Sequence, residues 1–118
     1  MSHEEMNEKL ALLQKVLNEK LIEACEDGNY HKAEEAIAQG ADVNCRNTSG
    51  WTPIHIAVDL GRYDILALLI KKNAYINSTT PGGDTALSIA KIINESKGSF
   101  TMFNFLKQYG AQECSQMQ

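Results

Sequence analysis

The sequence predicts an all-α solenoid, a short stack of helix-turn-helix units joined by projecting loops. Three observations carry this expectation. The first is an octet, Gly50-Trp51-Thr52-Pro53-Ile54-His55-Ile56-Ala57, built like a helix start. The second is its copy 33 residues later, Gly83-Asp84-Thr85-Ala86-Leu87-Ser88-Ile89-Ala90. The third is that the same offset works backwards: Leu21 pairs with Ile54, Ala24 with Ala57, and Gly28 with Gly61. Gly40-Ala41-Asp42-Val43-Asn44 pairs likewise with Asn73-Ala74-Tyr75-Ile76-Asn77. A fixed period of about 33 residues marks stacked supersecondary units.

Each member of the octet has a mechanical role. The Thr52 hydroxyl can cap a helix by accepting from the backbone N–H of His55. Pro53 then occupies the first helical position, where its missing N–H costs nothing. Ile54 and Ala57 share one helix face. Gly50 suits the tight turn before the cap. Thr52-Pro53-Ile54-His55-Ile56-Ala57 departs from the T-P-L-H-x-A core only by Ile for Leu. On these residues, over roughly 18–112, the chain resembles the ankyrin repeat family. The resemblance implies repeats at about 18–46, 47–79 and 80–112, with β-hairpin fingers projecting from the stack. Residues 1–17 precede it and 113–118 form a polar tail, expected to fray.

Composition sets the bounds. One domain is expected for 118 residues. The net charge of −4 lacks the clustered Lys/Arg of a nucleic-acid footprint and gives no pull towards anionic membranes. Cys25, Cys45 and Cys114 are an odd count without a Cys-x-x-Cys, so no disulfide framework is expected. A reducing, cytoplasmic setting follows as the expectation. Met1-Ser2-His3-Glu4-Glu5 has no signal-peptide character. The apolar run Ile65–Ile70 is far too short to span a bilayer.

At the N-terminus, Met6, Leu10, Leu13 and Leu17 fall in steps of 3 and 4 and mark one helical face, which Leu21 and Ala24 continue. The pattern admits one helix from about Glu4 to Asp27, or a break near Asn18. Glu5, Glu8, Lys9, Lys15 and Glu19 form the opposite, solvated face. Terminal repeats expose an apolar flank, so residues 3–17 are expected to cap the stack. The alternative is an oligomerising adaptor, because the stripe also fits a short coiled-coil seam.

The first repeat carries Leu21, Ile22, Ala24 and Cys25 on its first helix, ended by Gly28. Its second helix, about His31–Gln39, turns Ala33, Ala36 and Ile37 inward. The central repeat has the most apolar helix, about Asp64–Lys72, with Ile65, Leu66, Leu68, Leu69 and Ile70; such a helix is buried between neighbours. In the third repeat the period slips. Tyr109-Gly110-Ala111 answers Lys72-Asn73-Ala74 at an offset of 37. Four residues are therefore added within Asn94–Ser99: a first helix longer by a turn, a loop at Lys97-Gly98, and a second helix capped by Ser99. Phe100, Phe103, Leu106 and Tyr109 are expected to face the core, with Met102 and Phe105 beside them. By the resemblance, Val43 and Ile76 are buried turn residues.

No catalytic or metal constellation stands out. His3, His31 and His55 are far apart and lack convergent ligands. His55, the motif histidine, is expected to bond between adjacent repeats. Cys25 reads as a small hydrophobe, and Cys45, near a finger, as a modifiable thiol at most. Gly82-Gly83-Asp84-Thr85 lacks the lysine of a phosphate loop. No cofactor, metal or enzymatic activity is expected. The resemblance implies a scaffold that binds another protein through finger tips and first helices. Carried onto this chain, those positions are Arg46, Thr48, Ser49 and Trp51, then Asp59 and Leu60, then Thr79, Pro81, Asp84, Ile92 and Ile93, with Glu26 and Asp27 in the first repeat. Trp51 stands out because it is the only Trp and the repeat does not need an aromatic there. Truncating it is expected to weaken binding and leave the melting temperature nearly unchanged.

Overall fold

The computed structural model describes residues 2–97 and 101–112. These form α1 (His3–Asp27), α2 (Tyr30–Ala38), α3 (Pro53–Leu60), α4 (Tyr63–Lys71), α5 (Ala86–Lys97) and α6 (Thr101–Gln108). No strand occurs among the described residues, and no helix there is long and apolar enough to cross a membrane. First helices α1, α3 and α5 pack side by side, and each second helix leans on its own first helix.

The helix boundaries follow local chemistry. Ser2 caps α1 by accepting from the Glu5 N–H at 3.2 Å, and Asn29 caps α2 by accepting from the Lys32 N–H at 3.1 Å. Thr52 caps α3 and Pro53 follows at its first turn, as the octet predicts. Gly28 and Gly61 end α1 and α3 in the left-handed region, at φ 74° and 71°. Both second helices begin at the tyrosine one residue before the expected start, Tyr30 and Tyr63.

Repeats interlock through matching backbone positions. The Asn44 Oδ1 accepts from the Tyr75 N–H at 2.7 Å. One repeat on, the Asn77 Oδ1 accepts from the Gln112 N–H at 2.8 Å. Arg62 adds a different link. It opens α4 without a side-chain cap, since a guanidinium has no acceptor to offer, and it reaches back to the first repeat instead. There it donates to the Glu26 carbonyl at 2.8 Å and the Cys25 carbonyl at 3.4 Å. These carbonyls lie at the negative end of α1, where a cation is favourable. The repeat pattern does not announce this residue, since its counterpart at offset 33 is Asn29.

The core runs along the stack. Leu21, Ile54, Ile65, Leu66, Leu69, Leu87 and Leu106 are fully buried. In α3 every residue from Pro53 to Val58 is buried, as expected of a helix flanked on both sides. Val43 and Ile76 are half-buried rather than enclosed. In α6 the buried pair is Met102 and Leu106, with Phe103 and Phe105 half-buried and Tyr109 half-exposed. The expected three-step stripe drifts around the helix, and the four-step pair keeps to one face. Ser99, Phe100 and the Lys97-Gly98 loop lie partly or wholly outside the described residues, as does the tail 113–118. α5 has 12 residues against 8 in α3, so the slipped period shows as one added turn.

Two expectations change. The fingers are compact turns, not strand ladders. In the first, the Asn47 N–H donates to the Trp51 carbonyl and the Gly50 N–H to the Asn47 carbonyl, both at 2.9 Å. In the second, the Thr80 N–H donates to the Asp84 carbonyl and the Gly83 N–H to the Thr80 carbonyl, both at 2.8 Å. With so few residues per loop, each pair closes a turn before a ladder can start. The second change concerns residues 3–16. They continue α1 without a break at Asn18, yet all are exposed and Leu17 is the first buried residue. At about 1.5 Å per residue, α1 is ~37 Å long and α2 only ~14 Å. The surplus overhangs the stack instead of covering it.

This predicts a contrast in stability. Leu69→Ala should cost about 2–5 kcal/mol, since it empties a fully enclosed site. Removing residues 2–13 should leave the unfolding midpoint nearly unchanged in dilute protein. Thermal denaturation followed by circular dichroism checks both, and a large fall on truncation would restore the cap.

Candidate binding cleft and the interrepeat histidine

The overhang creates a cleft that the repeat pattern alone does not contain. One wall is a face of α1, lined by Ala11, Gln14, Lys15, Asn18, Glu19, Ile22, Glu23 and Glu26. The other is the first finger, with Arg46, Asn47 and Thr48. The open cleft has a volume of about 720 Å³, within the usual range for binding clefts. Ala11 and Ile22 are the apolar members of the lining, and the other residues are polar. Lys15 and Glu19, expected merely to face solvent, are wall residues. Their signal was present in the sequence: Lys15, Glu19, Ile22 and Glu26 recur at helical spacing on one face. Glu26, carried over as a contact position of the first repeat, is exposed and lines the cleft. Glu23 is held by Lys32 at 2.9 Å.

The expected contact residues divide into two groups. Thr48, Ser49, Asp59, Leu60, Pro81 and Ile92 are exposed along the first-helix and finger side, as is Asp27. Leu60 and Ile92 present apolar surface, 44% and 56% exposed. Arg46, Thr79 and Asp84, in contrast, hold the fingers together. The Arg46 guanidinium donates to the Gly50 carbonyl at 2.6 Å and the Thr79 carbonyl at 2.9 Å. The Asp84 N–H donates to the Thr80 hydroxyl at 3.1 Å. Gly50 has φ +81° and no room for a Cβ, because Pro81 of the next finger packs against it. Neighbouring fingers are thus fixed to each other by one cation and one close contact. Ile93 is half-buried.

Trp51 belongs to the structure more than its sequence position suggests. It is half-buried against the core, and its ring meets the His55 ring edge-on at 5.9 Å. Aromatic pairs of this geometry add to area burial. Its backbone N–H donates to the Asn47 Oδ1 at 2.9 Å. Trp51→Ala is therefore expected to lower the unfolding midpoint, not spare it.

His55 does what its place in the motif implies. It is 1% exposed. Its Nδ1 accepts from the Thr52 N–H at 3.1 Å and lies 2.9 Å from the Thr52 hydroxyl. That hydroxyl accepts from the His55 N–H at 3.5 Å, which completes a reciprocal cap. Nε2 lies 2.8 Å from the Ser78 carbonyl, in the next finger. Nδ1 must accept and Nε2 must donate, so the ring is neutral. Burial pushes its pKa below the ordinary 6.5, more than the Ser78 bond raises it, and Arg46 adds to the fall. In the third repeat Ser88 stands at this position, and Thr85 donates to the Gln112 carbonyl at 2.7 Å instead.

Cys25 and Cys45 are both enclosed free thiols. Cys25 is fully buried, and Cys45, expected near an exposed finger, is 8% exposed. Burial is the main cause that pushes their thiols up to about 12 and about 11. Cys114 lies outside the described residues. Among the described residues no three His, Cys, Asp or Glu side chains group as a metal site.

A family model for ankyrin repeats, in 3 copies, matches residues 21–117. The chain belongs to the ankyrin repeat family. It is 40% identical over 73 residues to the 2-5A-dependent ribonuclease of Mus musculus, covering 61% of this chain and 10% of that protein. It is 39% identical over 64 residues to protein phosphatase 1 regulatory subunit 27 of Homo sapiens, covering 54% of this chain and 42% of the relative. A third match is the BTB/POZ domain and ankyrin repeat-containing protein NPR3 of Oryza sativa, 38% identical over 65 residues, 55% of this chain and 11% of that protein. The chain spans less than half the length of each of these relatives. Ankyrin repeats are generally protein–protein interaction modules.

The neutral His55 makes stability depend on pH. A depressed folded pKa means that the unfolded chain takes up the proton first. Stability is therefore complete above about pH 6.5 and declines as pH falls below it. The unfolding midpoint of wild type should drop between pH 7 and pH 5 more steeply than that of His55→Gln, which should start lower. Equal slopes would remove His55 as the cause.

Proposed function

We propose that this chain is a non-catalytic adaptor that holds a segment of another protein on its first-helix and finger side, starting in the cleft between α1 and the first finger. The observation that carries this is the cleft itself, where Ala11 and Ile22 lie among polar side chains of α1 and the first finger. The exposed side chains of Thr48, Ser49, Asp59, Leu60, Pro81 and Ile92 extend the same side across the later repeats. Rigidity supports the reading too. Arg46 and the Gly50–Pro81 contact hold the fingers in register, so little ordering is left for binding to oppose. Trp51 contributes its half-exposed edge, and Arg46 contributes through finger geometry more than through a free charge. One matched relative is named a regulatory subunit of protein phosphatase 1, a role that is met by binding. The two buried free thiols fit a reducing, cytoplasmic setting.

The cleft can be blocked without touching the core. Glu19→Arg with Thr48→Arg puts two long cations into it from exposed positions. Glu34→Arg, also exposed but on α2, serves as control. In quantitative affinity capture, proteins retained by wild type and by the control should be lost with the cleft variant by about tenfold or more. Equal retention by all three would overturn the reading.

A further inference from the structure

We propose that the cleft takes a turn of the partner that bears an arginine and, four residues on, a glycine, seated as a preceding finger would be in a longer stack. The inference rests on the reading of the cleft as the partner's site and says what that partner presents there.

The two fingers are one turn repeated. The bonds from the Asn47 N–H to the Trp51 carbonyl and from the Gly50 N–H to the Asn47 carbonyl recur 33 residues on, from Thr80 to Asp84 and from Gly83 to Thr80. The second finger turns a definite edge to the first. That edge is the Thr79 carbonyl, which accepts from the Arg46 guanidinium at 2.9 Å, and the Pro81 ring, which presses on Gly50. At the same offset, the matching edge of the first finger is the Arg46 carbonyl and the Thr48 side chain. No finger faces it. The counterparts of Arg46–Trp51 are Leu13–Asn18, which are helical. A straight helix leaves open the space that a projecting turn would fill. Gln14, Lys15 and Asn18 from that stretch line the cleft opposite Arg46, Asn47 and Thr48.

This register fixes what fits. To hold the first finger as the first holds the second, an occupant needs a donor for the Arg46 carbonyl. It also needs a residue without a Cβ opposite Thr48. Arg46 and Gly50 meet these needs one repeat later. The same spacing, Arg-x-x-x-Gly, is therefore expected of the partner.

Charge agrees with a cation in the cleft. On the α1 wall, Gln14 is tied to Asn18 and to the Gly40 carbonyl, Asn18 to the Asp42 N–H, and Glu23 to Lys32. Glu19 and Glu26 are exposed and lie two turns apart on one face. They outnumber Lys15, which precedes Glu19 by four residues, the weaker order for a helical pair. The Arg46 guanidinium is drawn towards the second finger. A second guanidinium one repeat away would stand about 10 Å from it, beyond the Debye length of about 8 Å at physiological salt. The two carboxylates favour that second guanidinium by charge-assisted bonding. Asp59 is the counterpart of Glu26 at offset 33, so a segment that leaves the cleft across the stack meets another acidic position.

The probe is a backbone-cyclised peptide, Arg-Asn-Thr-Ser-Gly-Trp, the sequence of residues 46–51. Titrated into the isotope-labelled full chain, it should shift the amide signals of residues 11–26 and 46–49 and saturate in the millimolar range. Citrulline for arginine removes the charge and keeps the shape, and should weaken binding by about tenfold. Alanine for glycine should abolish saturation. Glu19→Gln with Glu26→Gln, both at exposed positions, should weaken the arginine peptide by about tenfold and leave the citrulline peptide as it was. No shift at the solubility limit, shifts elsewhere on the chain, or equal binding of the arginine and citrulline peptides would overturn the proposal. Affinity capture separates this from the wider reading. Proteins lost with Glu19→Arg and Thr48→Arg but held fully by the glutamine variant would keep the cleft and remove the arginine turn. Proteins held by the arginine variant would remove both.

Discussion

No repeat in this chain closes its own apolar face; each depends on the next. The helices are 8 to 12 residues long apart from α1, too short to persist alone in water. Their stability comes from the shared layer of Leu21, Ile54, Leu66, Leu69 and Leu87, all enclosed. That dependence explains the polar links between repeats. His55 to Ser78, Asn44 to Tyr75 and Asn77 to Gln112 each fix one unit against another. A buried donor without its partner is costly, so these bonds select one stacking geometry from those the apolar layer would tolerate.

The same constraint explains why several exposed-looking residues are structural. Finger loops have no core, so they must be fixed by hydrogen bonds and close packing. Arg46 supplies two donors to backbone carbonyls of two fingers. Arg62 performs a similar task between α4 and the end of α1. Both are long cations that a sequence pattern would assign to solvent or to a partner. Trp51 shields His55 from the finger side, which helps keep that ring dry and neutral. Binding surface and scaffold are thus not separate sets of residues here.

α1 has two sides with different tasks. One carries the apolar stripe that becomes the core once α2 begins. The other, with Lys15, Glu19 and Glu26, forms a wall of the cleft. Only the length of the helix beyond α2 makes both sides available. The overhang persists as helix because its C-terminal half is anchored in the stack, so nucleation is already met, and Ser2 caps the free end.

The sequence by itself determined the repeat architecture. Period, caps and stop glycines act within a few residues of each other, and local chemistry is what a linear pattern records. The role of His55 was legible because it stands in the repeat motif, three residues after the capping Thr52. Tertiary structure alone decided whether an apolar stripe is covered. Met6, Leu10 and Leu13 carry the same spacing as Leu17 and Leu21, and only the end of α2 separates exposed from buried. It also decided where Arg46, Arg62 and Cys45 go, because each meets groups 27 to 37 residues away. The added turn in the third repeat was visible as a slipped period. The cleft was not, because it exists only where a finger from one repeat faces a helix from another.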